Sequence, residues 1–253
     1  MNVINTYYGR ASTPLGAYKG PFGSGYGHFP TSQNKYAEDL ISKYPNGGIT
    51  SSADVPEAID TYVKVLQSQP DNSVTIASIG FPINIRNLIN EEPELFERKV
   101  SAIYFMDGPY NFRCADGLLG DTTDCYGAAK EVVDKIPHTI KQYFQPNGHD
   151  MLTGSGFYND TCSNSSNPVY TAYRDWLQKS VFGKGDKRPS WDLLTVYGAI
   201  LGADEAQLFE EEGTNDVNER GKETWDDSTT DNNEYRLQFT DDDKKAQITE
   251  ILE

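Results

Sequence analysis

What most constrains this chain is an alternation. Short apolar runs of strand length, "SVTIASIG" (73–80), "KVSAIYFMDG" (99–108) and "TIKQYF" (139–144), are separated by segments of helical period. "DVPEAIDTYVKVLQSQ" (54–69) places Val55, Ala58, Ile59, Tyr62 and Leu66 on one helical face. Asp54 and Glu57 read as a capping box, with Pro56 in the first turn. "NIRNLI" (84–89), "YGAAKEVVDKI" (126–136), "NPVYTAYRDWLQKSVF" (167–182) and "SWDLLTVYGAILG" (190–202) read as further helices. Apolar strands alternating with helices imply an α/β fold, a mostly parallel open sheet with helices on both faces.

In such sheets, ligands bind beyond the carboxyl ends of the strands. Two segments qualify, "GFPIN" (80–84) and "MDGPYNF" (106–112). The 253 residues fit one domain. Residues 1–50, rich in Gly, Tyr and Pro, read as loop, and the polar stretch 210–234 reads as a surface loop. A last helix is expected in "DDDKKAQITEILE" (241–253), where acidic residues favour its N-terminus.

The net charge is −16, and it is unevenly placed. Residues 204–253 hold 17 acidic and 5 basic residues, a balance of −12, and are read as part of the same domain. Nucleic-acid binding needs basic clusters that displace counterions, and none is visible. No apolar run approaches the ~20 residues of a membrane span. The N-terminus, MNVINTYYGR, lacks the basic-then-apolar pattern of a signal peptide. Asn159 and Asn164 begin glycosylation triplets, which have meaning only in a secreted chain. A Cys114–Cys125 disulfide would suit that setting, but an odd three cysteines without CxxC argue against zinc. There is no GxSxG elbow and no phosphate loop, and "GSGYG" (23–27) has neither a strand before it nor a helix after it. Of the histidines, His138 reads as a turn residue, and His149 lies in the polar loop "PNGHD".

Several stretches, in order, resemble the inosine/uridine-preferring nucleoside hydrolases, and most closely a eukaryotic branch. "INTYYGRASTPLGAYKG" (4–20) is similar to the family segment in which a helix leads into YGR…P…G…KG. "QPDNSVTIASIGFPINIRNLI" (69–89) resembles the family strand and its G-P-L-T-N-L turn, and "KVSAIYFMDG" resembles the V-x-M-G-G strand end. "SWDLLTVYGAILG" is similar to the D-P-L-A-V-A-x-A-L helix, and "TWDD…YRL" (224–237) to the final strand region. The resemblance implies hydrolysis of the N-glycosidic bond of a ribonucleoside to base and ribose. It also implies a calcium ion that binds the ribose hydroxyls. Calcium takes six to eight oxygen ligands, and an oriented water with an aspartate base would attack an oxocarbenium-like centre.

Carried over by position, the resemblance implies that Asp192 is a calcium and ribose ligand and that the Ile83 backbone carbonyl is a calcium ligand. Asn84 is the adjoining turn residue, Met106 contacts the sugar, and Asn111 binds ribose. A family glutamate two positions before Asn111 is replaced by Pro109. An alternative register places Asp121 at the asparagine and Leu119 at the glutamate. Trp191 stands where some members have a histidine that assists the leaving base; it either stacks on a purine or packs in the core. Without the resemblance, Asp192 is a first-turn carboxylate behind a Ser190 N-cap.

The family's D-x-D-x-x-x-D-D cluster, which supplies most calcium ligands and the catalytic base, occurs nowhere in the sequence. Two readings stand. One is a nucleoside hydrolase recorded without its first strand. The other is a non-catalytic relative that binds or scaffolds. Both predict negligible hydrolysis by these 253 residues, together with an exposed strand edge that favours self-association. The expected partner is a nucleoside or ribose.

Overall fold

The structure is a computed structural model that describes residues 1–20, 35–106, 123–158, 166–179, 186–219 and 221–253. Asn111, Pro109, Leu119 and Asp121 lie outside the described residues, as do 23–27, Cys114, Cys162, Asn159 and Asn164.

The first elements in chain order are α1 (Asn2–Tyr7), α2 (Lys35–Lys43), a 3₁₀ turn (Ser52–Asp54), α3 (Ala58–Gln67) and β1 (Val74–Ser78). Then come α4 (Ile83–Glu91), α5 (Pro93–Lys99), β2 (Val100–Met106), α6 (Thr123–Lys135) and β3 (Lys141–Gln145). A second 3₁₀ turn (Asn147–His149) leads to β4 (Leu152–Thr153), α7 (Ser155–Tyr158), α8 (Pro168–Lys179), β5 (Arg188–Pro189) and α9 (Trp191–Leu201). The chain finishes with α10 (Ala203–Ala206), β6 (Leu208–Glu212), β7 (Thr214–Val217), β8 (Glu223–Asp226), β9 (Glu234–Phe239) and α11 (Asp242–Leu252).

The main sheet has the order β1-β2-β3-β9-β6. Its first four strands run parallel and β6 runs antiparallel to β9. This is the α/β architecture that the alternation predicts. Parallel strands need covering on both faces, and β2 shows why its sequence is a near-continuous apolar run: six of its seven residues are buried. On one face Leu66, Leu88, Phe96 and Val132, from α3 to α6, pack against Ile103, Phe105 and Phe144. On the other, Leu194, Ala203, Ala206 and Ile248 pack against Tyr104, Tyr143 and Leu237. Tyr104 stacks on Tyr143 at 4.3 Å, and Tyr143 on Tyr235 at 5.4 Å, across three adjacent strands. None of the described helices is long and apolar enough to cross a membrane.

Three sequence expectations are corrected. Residues 1–50 are not all loop. They contain α1, which buries Val3, and α2, which packs on α8 and is followed by Tyr44, whose hydroxyl lies 2.6 Å from that of Thr171. The capping box near residue 54 joins Ser51 to Asp54 and caps the 3₁₀ turn; the Glu57 carboxylate instead accepts from the Lys19 N–H at 3.1 Å. The stretch 210–234 is largely β-structure: β6 continues to Glu212 at the sheet edge, and β7 and β8 form a hairpin. Arg236 makes this possible for so acidic a segment. Its guanidinium grips the Glu211 carboxylate across the β9–β6 pair at 2.8–3.0 Å and lies 5.2 Å from the Trp225 ring.

Glu234, at the start of β9, is buried and accepts from the Asn215 N–H at 2.7 Å. Burial pushes its carboxyl above the ordinary value of 4.5, and the Asn215 N–H partly opposes this. A carboxyl raised in the folded state weakens the fold at pH values above its ordinary pKa, where the unfolded chain ionises freely. Glutamine keeps the acceptor oxygen and has no charge to desolvate. Glu234→Gln is therefore expected to raise the urea midpoint at pH 7, with the gain fading as the pH falls through the raised pKa towards 4.5 and absent below it, when unfolding curves are compared across that range.

Among the described residues β1 pairs with β2 alone, and Thr75 is exposed on this edge strand. Open edges template pairing with another chain, and a lysine on the edge blocks it. Light scattering is expected to show concentration-dependent self-association that Thr75→Lys reduces.

Candidate functional site

The parallel strands end together, and their carboxyl ends carry the polar groups. The end of β1 passes through Ile79, Gly80 and Phe81 into α4, whose first residues are Ile83 and Asn84. These segments, with Tyr18 and Tyr62, line a cavity of about 260 Å³. Ile83 is buried, and its carbonyl lies in the first turn of α4. Asn84 is half-buried on the cavity wall. Met106 is the last residue of β2 and is 7% exposed. Its register partner is Gln145, the last residue of β3.

The start of α9 is held against these ends by the turn that follows β3. The Ser190 N–H donates to the carbonyls of both Gly148 (3.0 Å) and Met151 (2.9 Å). A Cβ on Gly148 would stand 2.5 Å from the Trp191 Cα, so only glycine lets the turn and the helix meet. The helix then descends the face of the sheet, and a Cβ on Gly198 would lie 3.3 Å from the Tyr104 ring in mid-β2. The first turn of α9, with Asp192, thus lies at the carboxyl edge of β2 and β3. One carboxylate oxygen of Asp192 is buried. A carboxylate in a first turn also favours the helix dipole.

Ser190 is the N-cap residue, but its side chain does not cap; its hydroxyl lies 2.7 Å from that of Thr153 in a buried pair. The sequence reading of Ser190 as a side-chain cap is therefore corrected: β4 takes the hydroxyl instead. Trp191 is half-buried, with its ring 5.8 Å from that of His149. His138 meets the turn before β9, its Nδ1 3.2 Å from the Asn232 carbonyl.

The structure thus brings Met106, Trp191 and Asp192 to one edge, with Ile83 and Asn84 at the neighbouring β1 end. Asn111 lies outside the described residues. Sequence reasoning missed Gln145. It is 1% exposed, and its Oε1 accepts from the Asn147 N–H at 3.2 Å and from its Nδ2 at 3.4 Å. Its Nε2 is buried and has no hydrogen-bond partner among the described residues. A buried donor left unmade costs about 1–3 kcal/mol. The signal was present: "FQPNGH" is a third strand end of the same kind as "GFPIN" and "MDGPYNF".

Calcium requires six to eight oxygen ligands. No group of three or more His, Cys, Asp or Glu that could hold a metal exists among the described residues. Asp192 and the Ile83 carbonyl alone do not make such a set, so the described donors do not fit a calcium ion.

No family model matches the sequence, and no curated protein matches it by sequence. Solved structures do match. An inosine–guanosine nucleoside hydrolase aligns over 99% of this chain and 84% of its own, with a TM-score of 0.66 and 14% identity. A plant nucleoside hydrolase aligns over 99% and 85%, with a TM-score of 0.64 and 14% identity. The type III effector XopQ, solved with adenosine diphosphate ribose, aligns over 99% and 78%, with a TM-score of 0.61 and 12% identity. The open, mostly parallel sheet with its polar carboxyl edge defines the class, a doubly covered α/β domain. Within that class, the chain has the fold of the nucleoside hydrolases.

The clamp beneath α9 gives a direct test. Gly148→Ala forces the added Cβ against the Trp191 backbone, and overpacking of this kind costs about 1–3 kcal/mol. Chemical denaturation should show that loss. Gly127→Ala, in a helix and with nothing within 4 Å of the added Cβ, should show none.

Proposed function

We propose that this chain is a nucleoside hydrolase-type protein that binds the ribosyl part of a nucleoside at the carboxyl edge of β1, β2 and β3. The observation that supports this reading most is the placing of Asp192 at that edge by a helix clamped to the turn after β3. The strand-end rule puts ligands there in sheets of this kind. The likeness in fold to two nucleoside hydrolases, and to a protein solved with adenosine diphosphate ribose, supports a ribose-bearing ligand. Asp192 accepts hydrogen bonds from sugar hydroxyls, Met106 forms an apolar floor, and Trp191 with His149 flanks the base. Cleavage is a separate matter. Hydrolysis in this family depends on a metal-bound water and an aspartate base, and the described donors do not fit the ion. The reading is therefore binding with negligible turnover, and the second reading, full calcium-dependent hydrolysis, is a measurable alternative.

The test is a titration with ribose and with inosine, with and without calcium, followed by assay for free hypoxanthine. Wild type is expected to bind ribose, and Asp192→Ala to lose at least tenfold in affinity, the scale of about 1.4 kcal/mol for a hydrogen bond to a charged group. No hypoxanthine should appear. Release of hypoxanthine sustained by calcium would replace the binding reading with the enzymatic one, and absence of ribose binding would end both.

A further inference from the structure

We propose that Gln145 is a ligand-contact residue whose Nε2 donates a hydrogen bond to a ribosyl hydroxyl. This rests on the reading of the strand edge as a ribose site. Three observations lead to it. Gln145 is the last residue of β3 and the register partner of Met106, so the two stand side by side at the edge. It stands two residues after Tyr143, which packs on the α9 face, and so it lies on that same face, over which α9 begins. Its carboxamide is already oriented: Asn147 holds Oε1 from the turn that also clamps α9. What remains is an NH₂ group, buried and without an acceptor among the described residues.

A buried donor whose other end is fixed is a group kept ready. The folded protein has already given up the hydration of this donor, so an oxygen acceptor arriving there restores a hydrogen bond with no further desolvation of the protein group. The donor suits an uncharged hydroxyl or ring oxygen, and Asp192, in the first turn of the helix clamped to the same turn, would supply the complementary acceptor. Together they recognise a polyhydroxylated ring through one donor and one acceptor. Gln142 provides the contrast. It is equally buried, and both polar atoms of its carboxamide have no hydrogen-bond partner among the described residues, but it lies on the opposite face with Phe144, three residues before the edge.

The experiment is a ribose titration by ligand-observed NMR, with thermal melts, on wild type, Gln145→Met and Gln142→Met. Methionine matches glutamine in length and has no donor. Gln145→Met is expected to weaken ribose binding roughly tenfold or more with little change in its ligand-free melting temperature, because loss of the acceptor for Asn147 and removal of the unmet donor oppose one another. Gln142→Met should leave ribose affinity unchanged. Equal ribose affinity in wild type and Gln145→Met overturns the assignment and leaves the proposed function standing. Weakened binding accompanied by a lowered melting temperature also overturns it, since Gln145 would then be structural. No ribose binding by wild type removes the proposed function itself, and the assignment with it.

Discussion

Everything at the strand edge depends on one contact, the meeting of Gly148 with the backbone of Trp191. The turn after β3 must come within van der Waals range of the first residue of α9, and a Cβ at 148 would occupy that space. With the side chain absent, Ser190 can place its N–H between two carbonyls of the turn. The helix then starts at a fixed height above the sheet, and Asp192, one residue into it, falls at the carboxyl edge. The same turn contains Asn147, which orients Gln145 and also donates to the Leu237 carbonyl at 2.7 Å. One short irregular segment therefore ties β3, β9 and α9 together and aims two of the candidate site's polar groups.

The central strands were legible because both of their faces are covered. "VSAIYFM" is apolar but for Ser101, as a strand covered on both faces must be, and the helices around it show a clean 3.6 period; "VTIAS", at the edge, is more mixed and leaves Thr75 exposed. The C-terminal β-structure was not legible, for the opposite reason. β6 is an edge strand with three consecutive glutamates, each partnered by residues distant in sequence or by the far turn (Glu210 with Tyr143, Glu211 with Arg236, Glu212 with the Asp231 N–H), so its composition alone is that of a surface loop. Its strand character comes from its partner β9, a tertiary cause that no local pattern reports. Ser190 failed similarly. Its type and position suit a cap, yet Thr153, 37 residues away, takes the hydroxyl.

The candidate site divides along the same line. A resemblance supplied the places of Met106, Asp192 and Ile83, and the fold sets Met106 and Asp192 at one edge with Ile83 at the neighbouring β1 end; their roles there are those proposed above. Gln145 had no counterpart in that resemblance. A glutamine at the end of an apolar strand is unremarkable until the structure shows it buried, held at one end and unmet at the other. Burial combined with an open valence is a property of three dimensions, and in this chain it is the plainer mark of a site.

Recognition and cleavage make different demands of such an edge. Holding a ribosyl ring needs a few fixed donors and acceptors in a dry recess, and carboxamides, one carboxylate and a methionine suffice. Cleaving it needs charge concentrated against an oxocarbenium-like centre and a water activated beside it, which calls for several oxygens around a cation. Carboxylates gathered that closely repel one another unless an ion neutralises them, so a cluster of that kind is retained only where the ion binds. Among the described residues the edge carries no group of three or more carboxylates, histidines or cysteines that could hold an ion. On the reading proposed above, such an edge serves recognition, and the charge needed for turnover would have to come from residues other than those proposed to hold the sugar.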